Sequence, residues 1–107
     1  MKLGIIIQTN NPEKAWNGLR LGITALKVGH IVKAFLLSEG VEVVSMKDDG
    51  HFDVAEKLKE FVSLKGELMT CGTCLKIRQG LETENCPIST MNDLLLLVEE
   101  CDRVISV

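Results

Sequence analysis

Aromatic residues are scarce in this chain. It has no tyrosine, one tryptophan and three phenylalanines, 4% of its 107 residues. That scarcity argues against a surface on which nucleic-acid bases stack. An excess of positive charge is lacking too. With a formal net charge of −3 and a pI near 5.3 there is no electrostatic footprint for nucleic acid or an anionic membrane. No apolar run approaches the roughly 18 residues of a membrane span. The apolar stretch of Met1 to Ile7 is too short for a secretion signal, and Gln8-Thr9-Asn10-Asn11 follows it without a small-residue cleavage pattern. Repeats, low-complexity tracts and linkers are absent as well. These absences lead us to expect a cytosolic protein without nucleic-acid or membrane partners, its four cysteines mostly reduced.

What is present is the composition of one soluble globular domain: 46% hydrophobic and 25% charged residues in a length that supports a single core. Strand and helix signals alternate. Leu3 to Gln8 is a continuous apolar run, as in a strand buried on both faces. Asn10-Asn11-Pro12-Glu13 then offers an asparagine cap and a proline at the first helical position, and Trp16, Leu19, Ile23 and Leu26 recur at helical spacing. Trp16 therefore reads as core or subunit interface. Ile31 to Leu37 is a second strand, and Ser38-Glu39-Gly40-Val41 a turn. Val41 to Met46 is ambiguous between a short extra strand and an irregular segment crossing the sheet edge. A polar loop, Lys47 to His51, precedes a helix marked by Val54, Leu58, Phe61 and Val62.

Leu68 to Cys71 reads as the third strand, followed directly by a helix from Gly72 to about Gln79. Leu81 to Asn85 is a polar connection and Cys86-Pro87-Ile88 a short fourth strand. Thr90 with Asp93 resembles a capping box. Met91, Leu94, Leu95, Val98 and Cys101 should line the buried face of the next helix, before a last strand at Arg103 to Val107. This order requires a mainly parallel sheet of five strands with helices on both faces, because parallel neighbours need crossovers. Ligands collect at the carboxyl edge of such sheets. Asn10, Glu39, His51, Cys71 and Ser89 follow strands and fall on that edge; His30 precedes one and falls on the other.

The feature with most chemical content is Cys71-Gly72-Thr73-Cys74, between a strand and a helix. A thiol there is expected to meet backbone N–H groups that favour the thiolate, with Lys76 and Arg78 adding positive charge. Three chemistries compete with plain burial of the cysteines. A zinc site needs four ligands, and one close pair, even with His51, leaves the set incomplete; no metal or other cofactor is expected. A dithiol redox site suits the C-x-x-C spacing, but the chain lacks the antiparallel hairpin strands of the thioredoxin fold. A single nucleophilic cysteine that takes up and hands on sulfur suits Cys71, with Gly72 leaving its approach open, Thr73 offering a hydroxyl and Cys74 as auxiliary thiol. A non-catalytic binding module with inert cysteines is the remaining alternative.

These residues carry a resemblance. Thr9-Asn10-Asn11-Pro12-Glu13-Lys14-Ala15, Gly29-His30 with the strand after it and Glu39-Gly40-Val41, Cys71 to Arg78, and Asp102-Arg103-Val104-Ile105 are together similar to the DsrE/DsrF-like family, which includes the sulfur-relay protein TusD. The similarity spans nearly the whole chain. It implies a three-layer α/β/α sandwich with a five-stranded parallel sheet, and homo- or hetero-oligomers, for this chain a trimer or a hexamer. It also implies a cysteine that carries persulfide sulfur between donor and acceptor proteins. Matching the strand-to-helix turn puts that role on Cys71, with Cys74 second. The chain departs from the TusD pattern in its second cysteine and in the residue between Arg78 and Gly80. His51 enters the site on spatial grounds alone.

Overall fold

The structure, a computed structural model, describes residues 1–47, 50–77 and 88–107. Its elements are β1 (Lys2–Ile7), α1 (Pro12–Lys27), β2 (Ile31–Leu36), a 3₁₀ segment (Ser38–Ser45), α2 (Val54–Ser63), β3 (Glu67–Cys71), α3 (Gly72–Ile77), β4 (Ile88–Ser89), α4 (Met91–Glu100) and β5 (Arg103–Ser106). The sheet has five strands in the order β4-β3-β2-β1-β5, and every pairing is parallel. Helices flank it, so the chain is an α/β sandwich.

Local sequence explains where elements begin. Asn11 caps α1, its side chain accepting from the Lys14 N–H, and Pro12 takes the first helical position, where a missing N–H costs nothing. Asp53 caps α2 through the Glu56 N–H. At α4 the capping box is complete: the Asp93 N–H donates to Thr90 Oγ1, and the Thr90 N–H donates to the Asp93 carboxylate at 2.7 Å.

Connectivity decides which face each helix covers. The steps β1 to β2, β2 to β3 and β3 to β4 all run one way along the sheet, so right-handed crossovers set α1, α2 and α3 on one face. The return from β4 to β5 sets α4 on the other. Packing agrees. Leu3, Ile5 and Ile7 are buried on the first face beneath α1 and α2, where Phe61 of α2 meets Gly22 and Gly66. On the second face, a Cβ at Gly4 would lie 2.6 Å from Leu97 Cδ2 and 3.2 Å from Cys101 Sγ, so glycine lets α4 settle onto β1.

Two expectations need correction. Of the two readings of Val41 to Met46 the strand falls: Val41 to Ser45 belong to the 3₁₀ segment, with Met46 its C-cap, and the segment tucks Val41 and Val43 into the core and brings Gly40 against β1. A Cβ at Gly40 would stand 1.8 Å from the Ile7 carbonyl oxygen, an approach only glycine allows. The second correction concerns α4. Its buried residues are Leu94 and Leu97, whereas Met91, Leu95 and Val98, assigned to the buried face, are exposed, and Cys101 is the C-cap. The run Leu94 to Val98 offers two apolar stripes, and the pairing of Glu100 with Lys33 of β2 favours the rotation that buries Leu94 and Leu97. Cys86, Pro87 and the connection before them lie outside the described residues, as does the end of the helix expected to reach Gln79.

Candidate functional site

The carboxyl edge of the sheet gathers the ends of β1, β2, β3 and β4. Adjacent strands whose following helices leave on opposite faces open a crevice there, and in open α/β sheets ligands bind at such a point. β3 and β4 are that pair, with α3 on one face and α4 on the other. Cys71 ends β3 opposite Ser89 of β4, and Gly72, Thr73 and Cys74 turn into α3. The C-x-x-C segment thus occupies the switch point of the fold. A Cβ on Gly72 would come 2.7 Å from Ile88 Cγ2, so the glycine lets the two strand ends close up.

The two thiols differ in surroundings. Cys71 is only 5% exposed and part of the hydrophobic core; by alternation it shares the α4 face with Met69. Cys74 is half-buried, and the backbone N–H of Ser38 donates to its Sγ at 3.3 Å. A donor aimed at sulfur favours the thiolate. Ser38 reaches that position in a left-handed backbone conformation, φ 55°, rare for a residue with a side chain. Neither cysteine is in a disulfide. Strand-end position, the glycine after it and the family resemblance point to Cys71 as the nucleophile; of the two sulfurs, that of Cys74 belongs to the less buried residue.

The other expected site residues are dispersed. Gly72 and Thr73 belong to the turn, Thr73 with its side chain exposed. Asn10 lies exposed between β1 and α1, beside the capping Asn11, and His51 is exposed in the loop before α2. Arg78 falls outside the described residues; Lys76 is exposed on α3. His30 sits at the opposite edge, its Nδ1 2.8 Å from the amino group of Met1. Trp16 is half-buried, edge-on to Phe52 with centroids 5.2 Å apart and the Arg20 guanidinium 4.4 Å over its ring. Among the described residues no three His, Cys, Asp or Glu side chains are grouped to hold a metal ion.

Sequence reasoning missed two residues at this edge. One is Ser38, which acts through its backbone; its only sequence signal is that it follows a strand. The other is Thr70, 1% exposed, whose hydroxyl has no hydrogen-bond partner among the described residues. Its signal was available: a polar side chain inside an otherwise apolar strand. Away from this edge, Cys101 is a poor thiolate candidate, since burial pushes its thiol up. A groove of about 140 Å³ beside α4 holds Lys33, which pairs with Glu100 at 2.8 Å and Glu67 at 3.4 Å.

Fold and site together define a small parallel α/β/α domain with a cysteine pair at its switch point. The chain belongs to the DsrE/DsrF-like family, whose model matches residues 1–107. It is 37% identical over 116 aligned positions to an uncharacterised protein of Methanocaldococcus jannaschii, covering 99% of each chain. A second uncharacterised protein, from Methanopyrus kandleri, is 35% identical over 99 positions, covering 87% of this chain and 81% of its own. In three dimensions the chain is similar to the crystal structure of the ychN protein from E. coli, with a TM-score of 0.86 over 100% of both chains and 20% identity, a likeness of fold. No described helix is long and apolar enough to cross a membrane.

Proposed function

We propose that this protein is a cytoplasmic sulfur carrier that takes sulfane sulfur from a donor protein and passes it to an acceptor protein. The observation that carries the reading is the meeting, at the switch point, of a half-buried Cys74 with the Ser38 N–H directed at its sulfur. Family membership supports it, since the family includes sulfur-relay proteins. Cys74 thiolate attacks the outer sulfur of a donor persulfide; the donor's S–S bond breaks and the donor leaves as a thiolate. Cys74 then holds the sulfur as a persulfide until an acceptor thiolate attacks that same outer sulfur and Cys74 leaves as thiolate. No net oxidation occurs. Cys71, three residues away, is the reserve thiol: attack on the inner sulfur of the Cys74 persulfide would expel hydrosulfide and leave a Cys71–Cys74 disulfide. Self-association as a trimer or hexamer belongs to the same reading and rests on the family alone.

Intact mass after exposure to a persulfide donor tests the proposal. Wild type and Cys71→Ser should each gain one sulfur that a reductant removes, and Cys74→Ser should gain none. Gain lost only in Cys71→Ser would return the role to the strand-end thiol. A wild type that never gains sulfur but loses two hydrogens under mild oxidation would replace the carrier with a dithiol redox protein. No mass change at all would leave a binding module with inert cysteines.

A further inference from the structure

Thr70 is the anomaly of the site. A buried hydroxyl is normally bonded, and leaving one unpaired costs free energy that a valine of the same shape would not. Thr70 Oγ1 is enclosed and unpaired among the described residues. By alternation the side chain shares a face with Gly66 and Leu68, the face where Phe61 of α2 packs. In register it stands between Leu36 of β2 and Ile88 of β4. Two residues past Leu36 is Ser38, whose N–H donates to Cys74 Sγ, and both α3 and the 3₁₀ segment pack against β3. Thr70 and Cys74 therefore belong to the same end of β3, four residues apart, and the orphan hydroxyl makes no bond to the sulfur while the cysteine is a thiol.

We propose that Thr70 Oγ1 is the internal donor for the terminal sulfur of a Cys74 persulfide. This rests on the sulfur-carrier reading and deepens it: the site is built for the loaded state. Loading adds one S–S bond of about 2.05 Å beyond Sγ. The new terminal sulfur is anionic and accepts the Thr70 O–H, while the Ser38 N–H stays with Sγ. No atom beyond the transferred sulfur is needed. The bonds made and broken are those of the exchange itself, the donor's S–S for that of Cys74. When the acceptor takes the outer sulfur, Thr70 returns to its unpaired state and Cys74 leaves as a thiolate toward the Ser38 N–H. The unpaired hydroxyl thus favours holding sulfur over standing empty.

The test uses the full chain with glutathione persulfide as the probe. Wild type, Thr70→Val and Thr70→Ser are loaded and freed of excess reagent, and the persulfide remaining on each is followed by intact mass alongside thermal unfolding. Thr70→Val should be at least as stable as wild type, having lost an unpaired buried hydroxyl, yet shed its sulfur about tenfold faster, the effect of one charge-assisted hydrogen bond. Thr70→Ser should keep a lifetime close to wild type. If Thr70→Val does not fold, Thr70→Ala against Thr70→Ser provides the same contrast. Equal lifetimes in wild type, Thr70→Val and Thr70→Ser would overturn the proposal and leave the carrier reading intact. A wild type that takes up no sulfur would overturn both.

Discussion

The two faces of the sheet are covered in different ways. On one, α1 and α2 pack on β1, β2 and β3 and on each other, and most of their apolar residues are spent inside: Leu19, Ile23, Leu58 and Phe61 are buried, with Leu21 of α1 the exposed exception among their leucines and isoleucines. On the other, α4 is the one described helix. It buries Leu94 and Leu97 against the sheet and leaves Met91, Leu95, Leu96 and Val98 in solvent. The first face holds itself together by hydrophobic packing between layers. The second mixes packing with an ion-paired lysine, since Lys33 rises from β2 on this side and meets Glu100 of α4 and Glu67 of β3. A face closed by several helices constrains its sequence tightly; a face on which one helix is described has apolar positions that the fold does not use.

The largest effect should come from the closed face. Phe61 is fully buried and touches Gly22 and Gly66, so Phe61→Ala removes the packing that joins α1, α2 and β3. A loss of about 4 kcal/mol is expected, read as a shift in the urea midpoint at unchanged slope. Leu97→Ala opens a cavity over Gly4 on the other face. It should cost less, about 3 kcal/mol, because solvent and the neighbouring leucines of α4 lie close enough to relax into the space. If Leu97→Ala proved the more damaging of the two, the single-helix face would be the stronger one, and the comparison would be reversed.

The same contrast explains what could be read from the sequence. Elements on the closed face were legible because one apolar stripe stood against a polar background: of Val54, Leu58, Phe61 and Val62, the first three became the buried side of α2 and Val62 packs half-buried beside them. The capping box of Thr90 and Asp93 was legible because it is local chemistry. The rotation of α4 was not, because Leu94 to Val98 supplies an apolar residue in nearly every direction and only tertiary partners choose among them. The 3₁₀ segment was hidden for a related reason. Val41 and Val43 alternate as in a strand, while the close approach of Gly40 to the Ile7 carbonyl that turns the chain away is a tertiary fact. At the site, the C-x-x-C pair and its edge were visible. Which thiol is buried, and which amide reaches the other, depends on how β2 ends.

Leu95 sharpens the contrast within a single helix. It is 55% exposed where Leu97, two residues on, is 1% exposed. Leu95→Lys should therefore change the stability of the isolated chain by no more than about 0.5 kcal/mol, far below the Leu97→Ala cost. Thermal unfolding at two widely separated protein concentrations checks this. A loss that appears only at the higher concentration would mean that a second copy of the chain covers this stripe, making the open face closed in the assembly.

The smallest effect is expected from the ion pair on that face. The hydrogen bond to Glu100, with the charge of Glu67, raises Lys33 above its ordinary value against the opposing effect of burial. Its bond with Lys33 and that charge hold Glu100 below the usual carboxylate range. A carboxyl lowered on folding contributes stability that is present above its unfolded value, near 4.3, and is lost as the pH falls through the folded one. A lysine raised on folding contributes below its unfolded value, near 10.4, and that contribution disappears as the pH climbs through the folded one. The pair is thus fully effective between those limits and fades outside them. Lys33→Met should flatten both limbs of the stability–pH profile while leaving the neutral-pH midpoint little changed, because the methionine packs against Met69 and Leu97 in the same groove. A variant that lost stability at neutral pH with the limbs intact would show that Lys33 serves this face through its aliphatic stem, and the open face would be as hydrophobic in its energetics as the closed one.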